Sequence, residues 1–300
     1  MKIATIGSGP RLDVVRYLLT QNKIDFLKCD VSAKGLTNAK KLKDSFLIFL
    51  SIPANDIRRC CDILAPHVGG RHAIVHTIHT LEKDTHKAIS TILEEELSTQ
   101  RFGFLTGPMR LEDVKKKRPC SALCATDLNE IQEVVSQCLA APNFRVYQSS
   151  DMAGAEIAAI YSRVISFCVG IAYDLGDPVQ SILFARGLAE ASRLIASLKG
   201  DMRTPFGLSG LANLHLSLAG KGSADFQLGR EMTKKKKKTI SASRAHHDDF
   251  KELVSTLKRA SDDVGLESSI LNAAQALVLG MMSPEDAMKA LMSLPSLSDF

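Results

Sequence analysis

The sequence of 300 residues predicts an α/β domain built on a parallel sheet, followed by an all-helical domain. Over the first half, short apolar runs alternate with amphipathic stretches, the signature of βα units. A glycine turn, Gly7-Ser8-Gly9-Pro10, follows the first apolar run and leads into helical periodicity. From Met152 onward, long stretches rich in Ala, Leu, Ile, Met and Ser replace the alternation.

In chain order, Lys2 to Ile6 is the first strand. Val14, Val15, Leu18 and Leu19 recur at helical spacing, and Ile24 to Cys29 gives a second strand ending at Asp30, which closes one βαβ unit. Ser45 to Ser51 is a nearly continuous apolar run, as a central strand covered on both faces requires, and His72 to Ile78 is the next strand. Gly103 to Leu105, Ala122 to Ala125 and Phe144 to Tyr147 follow, and the sheet ends there. Ala153 to Leu175 is too apolar around its circumference for a surface helix and is expected to form a buried spine. Ser283-Pro284-Glu285-Asp286 places an N-cap, a proline at the first helical position and an acid at the third, opening the helix that carries Met288, Leu291 and Met292. The expected domains are 1–150 and 151–300.

Composition narrows the class. Apolar residues make up 45% of the chain, charged residues 24% and aromatics 5%, so a core of aliphatic side chains is expected. No stretch reaches the roughly 18 uninterrupted apolar residues that cross a bilayer, and Met1 to Ile6 runs into the glycine turn without a signal-peptide pattern. A cytoplasmic protein with no membrane partner is expected. The seven cysteines (Cys29, Cys60, Cys61, Cys120, Cys124, Cys138, Cys168) are scattered among aliphatic residues and read as reduced structural thiols. Cys120 and Cys124 are spaced too widely for a CxxC pair, and no metal site is expected. The runs Lys115 to Arg118 and Lys234 to Lys238 lack interleaved aromatics and read as solvated loops, so no nucleic-acid partner is expected.

A Rossmann-like dinucleotide turn uses Gly-x-Gly-x-x-Gly: a tight turn, a close approach of backbone to pyrophosphate, and close helix–strand packing. Here Gly7 and Gly9 are in place, Leu12 stands at the third position, and Pro10 brings no N–H. The helix N-terminus favours an anion and Arg11 adds a full charge. Asp30, 23 residues beyond Gly7, is placed for an adenine ribose and favours NAD over NADP. A vestigial turn that binds nothing is the competing reading.

The motifs Gly154-Ala155-Glu156-Ile157-Ala158-Ala159, Gly170-Ile171, Ala185-Arg186-Gly187-Leu188-Ala189-Glu190 and Gly207-Leu208-Ser209-Gly210-Leu211 resemble the C-terminal domain of NAD-dependent glycerol-3-phosphate dehydrogenases. Ser51-Ile52-Pro53-Ala54 resembles that family's strand-end proline motif, which adds Pro53 to the cofactor side, and Thr106-Gly107-Pro108 resembles its segment at the domain join. Ile270 to Leu291 is similar to its closing helices, whereas the segment between Asp30 and Ser45 is shorter than the family's. The resemblance implies a helical domain of the 6-phosphogluconate dehydrogenase-like type. It also implies NAD as cofactor and hydride transfer between glycerol 3-phosphate and dihydroxyacetone phosphate.

That chemistry needs a cation at the developing alkoxide, a proton donor, and charges that hold the phosphate. Carried over by resemblance, the catalytic lysine falls on Ser162 and the asparagine beside it on Arg163. A second family lysine falls on His79, the aspartate of a Gly-Leu-Gly-Asp-Leu motif on Asn213, and the phosphate-binding Ser-Arg-Asn on Ser223-Ala224-Asp225. Residues acting as a unit are not lost singly without large rate penalties, and here several are replaced together.

His79, Ser162 and Asn213 are therefore the substituted catalytic positions. His72 and His76 read as core or surface histidines, and His246-His247-Asp248-Asp249 as a helix start. The sequence admits three functions. One is a pseudoenzyme that binds a nucleotide, a small phosphorylated metabolite or a protein partner. Another is an oxidoreductase with altered residues, in which His79 serves as acid or base. The third is a scaffold that forms a homodimer through its helical domain.

Overall fold

The structure is a computed structural model describing residues 2–32, 35–233 and 244–293. The chain divides into two compact units, Met1–Glu156 and Ile157–Phe300. The lysine run 234–238 lies outside the described residues.

The first unit begins with β1 (Ile3–Gly7), α1 (Pro10–Gln21) and β2 (Phe26–Cys29), then a hairpin of β3 (Val31–Ser32) and β4 (Gly35–Leu36) and a 3-10 turn, Ala39–Asp44. β5 (Leu47–Ser51), α2 (Ile57–Leu64), β6 (Ala73–His76), α3 (Ile89–Glu96), β7 (Phe102–Thr106), α4 (Leu111–Lys115), β8 (Cys120–Ala125), α5 (Asn129–Leu139) and β9 (Phe144–Ser149) follow. The seven-stranded sheet has the order β2-β1-β5-β6-β7-β8-β9. The two glycine-side strands pair parallel, Ile3 opposite Phe26 and opposite Leu47. Side chains alternate to two cores. Ile3, Leu47, Phe49 and Val75 join Leu12, Val15 and Leu19 of α1, while Ala4, Ile6, Ile48, Leu50 and Ile74 join Cys60 and Cys61 of α2 and Ile92 of α3. Burial on both faces is why β5 is apolar throughout.

The sheet is mixed, not wholly parallel. β7 and β8 pair antiparallel, Phe104 opposite Ala125, so β8 and β9 run against the rest. A parallel return needs a crossover, usually a full helix, and residues 107–119 contain only the five-residue α4. Several strands also start later than their apolar runs. Lys23 has φ 55 as the chain leaves α1, and the Ser45 N–H closes the 3-10 turn on the Leu42 carbonyl. His72 precedes β6, where its ring nitrogens bond the Gly69 backbone and the Leu42 carbonyl at 3.2 Å.

The remaining helices are α6 (Met152–Ile171), α7 (Asp177–Ser197), α8 (Asn213–Leu218), α9 (Ala224–Thr233), α10 (Arg244–Asp263), α11 (Ser269–Val278) and α12 (Pro284–Ser293). α6 is long and apolar enough to cross a membrane, yet 94% of its most apolar window is buried. It ends at Ile171 rather than Leu175, because Tyr173–Leu175 turns as an exposed 3-10 element. Gly170 near its end allows close backbone contact. A Cβ on Gly170 would lie 2.2 Å from the Phe226 carbonyl oxygen of α9, and one on Gly229 would lie 2.2 Å from that of Phe167. The Gly207–Gly210 motif folds into a π-helical turn, Leu208–Ala212, with Gly210 pressed onto the Pro205 carbonyl. Buried Glu190 accepts from the Tyr161 hydroxyl at 2.9 Å and from the Ile270 N–H at 3.0 Å, and Ser268 completes the cluster. α12 is capped as its sequence predicts: the Ser283 hydroxyl accepts the Asp286 N–H at 3.1 Å and donates to its carboxylate at 2.6 Å.

Candidate functional site

In the sheet order the chain passes from β1 to β2 on one side and to β5 on the other, so the topological switch point lies outside the ends of β1 and β5. The glycine turn sits there. Gly7 has φ 86, and a Cβ on it would stand 2.0 Å from the Ser51 carbonyl oxygen. Gly9 has φ 150, with Ser51 Oγ 2.9 Å from where its Cβ would be. Only glycine fits both positions, because the turn lies flat against the end of β5. Two bonds lace it down: the Ser8 N–H donates to the Ser51 carbonyl at 2.9 Å, and the Ser51 hydroxyl donates to the Ser8 carbonyl at 3.1 Å.

α1 starts directly after this turn, with the Asp13 N–H on the Gly9 carbonyl at 2.9 Å. Its N-terminal amides and dipole favour an anion, although Pro10 supplies no donor. Arg11 is half-buried in the first turn, and Leu12 is fully buried in the core beneath it. On the inner face, Arg16 Nη2 donates to the Gly7 carbonyl at 2.8 Å and Nε to the buried Thr5 hydroxyl at 3.0 Å. Asp30 follows the end of β2 and is exposed, its backbone held by Thr37 on both sides. Pro53 is exposed beyond β5 and opens a 3-10 turn. Gly7, Gly9, Arg11, Asp30 and Pro53 thus collect along one edge of the sheet. A positive-φ turn at a helix N-terminus, with an exposed acid at the end of β2, fits the pyrophosphate and ribose of a dinucleotide, and Pro10 and Leu12 are the departures.

Beyond β6, His79 is buried with its ring 5.3 Å from that of Phe104. His76 lies on the same phenyl ring at 4.9 Å, and its Nε2 is 3.2 Å from Glu156 Oε1. Glu156 also accepts from the Ser90 hydroxyl and backbone N–H. His72 and His76 are core histidines, and His79 alone of the three lies beyond the strand end.

In the helical unit the substituted positions are engaged internally. The Ser162 hydroxyl donates to the Ala159 carbonyl at 2.8 Å, one helical turn back. Arg163 forms a bidentate pair with Asp225, Nε to Oδ2 at 2.9 Å and Nη2 to Oδ1 at 3.2 Å. His246 Nε2 approaches the same carboxylate at 3.2 Å. Asn213 Nδ2 donates to the Ser209 carbonyl at 2.9 Å, within the π-helical turn. Burial pushes the Asp225 carboxyl upward, but Arg163 and His246 overcome it and hold it at about 2. Burial likewise opposes the Arg163 charge, and Asp225 more than restores it. The pairing of Asp225 with Arg163 and His246 joins residues far apart in the chain, and the opposite charges now standing at two asparagine positions of the resemblance are its one trace in the sequence.

The cysteines are free, buried or half-buried, and burial pushes the thiols of Cys60, Cys61, Cys124 and Cys168 up to about 12. Among the described residues no group of His, Cys, Asp or Glu is arranged to hold a metal ion. A separate open depression of ≈ 400 Å³ in the helical unit is lined by Val169, Asp177, Gln180, Ser181, Phe184 and Leu218, none of them a position singled out above.

Residues 27–132 match the family described as NAD-dependent glycerol-3-phosphate dehydrogenase N-terminus, and residues 151–289 match its C-terminus. The glycine turn precedes the matched range. A glycerol-3-phosphate dehydrogenase [NAD(P)+] of Sinorhizobium fredii is 28% identical over 86% of this chain and 78% of its own length. One from Moorella thermoacetica is 33% identical over 58% of this chain and 52% of its own. Among solved structures, glycerol-3-phosphate dehydrogenase from Coxiella burnetii superposes with a TM-score of 0.87 at 18% identity, covering 98% of this chain and 99% of that one. At that identity the superposition speaks for the fold alone.

Proposed function

Because the chain belongs to the NAD-dependent glycerol-3-phosphate dehydrogenase family, we propose that it keeps the family's nucleotide crevice and has given up ordinary glycerol 3-phosphate/dihydroxyacetone phosphate hydride transfer. It acts as a nucleotide-binding pseudoenzyme with NAD(H) as the preferred ligand. The bidentate Arg163–Asp225 pair carries this reading. By the resemblance, Arg163 stands beside the catalytic lysine position and Asp225 at the end of the phosphate-binding motif, both of them asparagines in the family. Here the guanidinium is already matched, and a phosphate brought to it faces the Asp225 carboxylate. Ser162 cannot replace the charge or the proton of a lysine, and its hydroxyl is bonded to the backbone.

On the cofactor side, Gly7, Gly9 and the start of α1 offer a site for pyrophosphate, and Asp30 one for the adenine ribose. These residues would hold and orient NAD(H), whose hydride chemistry would find no lysine at Ser162 to supply the proton. A cytoplasmic location accords with seven unpaired, mostly buried thiols. A small phosphorylated metabolite or a second copy of the chain, docked through the helical domain, are the further partners of this reading.

Melting temperatures with millimolar NAD, NADH, NADP and NADPH, together with NAD-dependent oxidation of glycerol 3-phosphate, test it. The expected result is a rise of several degrees with NAD or NADH, by mass action on the folded state, and no turnover. Turnover at an ordinary dehydrogenase rate overturns the loss of chemistry, and no shift with any of the four overturns the nucleotide site. One observation favours an oxidoreductase with altered residues: His79, an imidazole suited to acid–base work, is held against Phe104 beyond the end of β6. On that reading a substrate screen finds a cofactor-dependent activity that His79→Ala removes.

A further inference from the structure

Leu12 and Arg16 are four residues apart and lie on the same face of α1, toward β1. Where Leu12 stands, a dinucleotide turn ordinarily has a glycine that lets helix and strand pack closely. Its side chain is fully buried in the core. Arg16, one turn further along, spans from the helix to the strand and takes hold of both the Gly7 carbonyl and the Thr5 hydroxyl. Among the described residues its hydrogen-bond partners are these two oxygens, and it forms no ion pair. The opposite side of the turn is fixed by the two bonds between Ser8 and Ser51.

The turn is therefore braced from both flanks, and the brace on the helix side carries a permanent charge. Pro10 has removed one donor that would face an anion, while a guanidinium without a carboxylate lies beneath the same loop. Its field adds to the α1 dipole at the place where a diphosphate would rest.

We propose that Arg16 is a positioning residue for the diphosphate of a bound nucleotide. It holds the Gly7–Gly9 turn in its anion-accepting shape and supplies positive potential where Pro10 has removed a donor. It does this from the inner side of the loop, without touching the ligand. The inference rests on the nucleotide reading above and names the residue that makes the altered turn workable.

Titration calorimetry of the full-length protein with ADP and with adenosine tests it. For the unaltered chain ADP is expected to bind more tightly than adenosine. Arg16→Met lowers ADP affinity roughly tenfold and leaves adenosine within about twofold, since the lost positive potential and the loosened turn act on the diphosphate alone. Arg16→Lys, which keeps the charge but loses the fork, falls between and remains informative if the methionine variant does not fold. Thr5→Val removes one bond of the brace without the charge, and is expected to lower the melting temperature while keeping most ADP affinity. Equal ADP binding by both Arg16 variants and the unaltered chain overturns the role of Arg16, as does a parallel loss of ADP and adenosine. An unaltered chain that binds neither overturns the nucleotide reading itself, and this role with it.

Discussion

The two units treat their inherited polar positions in opposite ways. At the sheet edge of the first unit, the turn from Gly7 to Gly9 is secured by groups on its flanks, Arg16 and Ser51, while the helix N-terminus and the exposed Asp30 still face outward. In the helical unit, Ser162, Arg163, Asn213 and Asp225 spend their hydrogen-bonding capacity on each other or on nearby backbone. A crevice built from backbone tolerates side-chain replacement, since Gly7 and Gly9 are held by sterics. A site built from side chains is dismantled once those side chains find internal partners. On the proposed reading, recovering such a site would mean breaking the buried Arg163–Asp225 pair as well as placing a lysine at Ser162.

The most damaging change is expected at that ion pair. Arg163→Asn leaves a buried Asp225 with only His246 beside it and should cost about 3–5 kcal/mol in urea unfolding. The double variant Arg163→Asn/Asp225→Asn should recover most of that loss, because the pair is coupled. Additive costs would mean that the two residues are not partners, and dihydroxyacetone phosphate binding by the double variant would show that the pair is all that closes the site.

Acid comes next. With its folded-state value held at about 2, Asp225 contributes stability that is fully present above the ordinary carboxylate value of 3.8 and is lost as pH falls toward about 2. The share is about 2 kcal/mol. Unfolding midpoints between pH 6 and 2 should therefore fall more steeply for the unaltered chain than for Asp225→Asn, and parallel curves would contradict the pairing.

On the nucleotide side, Asp30→Ala is expected to weaken NADH binding roughly tenfold, the loss of one charge-assisted contact, and to narrow the preference over NADPH. Fluorescence titration measures both, and unchanged affinity would detach Asp30 from the crevice. The smallest effect is a null one. On the proposed reading, Ser162→Lys alone gives no measurable glycerol 3-phosphate oxidation, because the other positions that the resemblance assigns to that unit are also substituted. Detectable turnover would collapse the contrast between the units.

Much of the fold was legible. Core burial on both faces made β5 apolar throughout, and Ser283 with Asp286 declared a helix start that the structure reproduces atom by atom. The reversed direction of β8 was not legible from its own residues, because alternation carries no strand direction; the shortness of α4 was the available clue. The turn at Gly7 and Gly9 was readable because its residues are contiguous and glycine has few structural synonyms. The Arg163–Asp225–His246 cluster joins three separate helices, and no local period brings such residues together. Arg16 went unnoticed for another reason: an arginine on an amphipathic helix ordinarily faces water, and its inward reach depends on two oxygens of β1.

The short segment after Asp30 has a consequence for solubility. The chain continues from β2 into a hairpin and a 3-10 turn, and β2 is a border of the sheet. A border strand offers unpaired backbone groups to any extended chain that meets it. Here the offer is largely withdrawn: β2 is four residues long and carries exposed Lys28. The Asn38 amide, set by a residue at φ 60, donates to the Lys28 carbonyl at 3.3 Å, and the Thr37 hydroxyl accepts the Asp30 N–H at 2.8 Å. The segment after Asp30 thus guards the border strand against strand-to-strand aggregation, and Asn38 and Thr37 are its sentries.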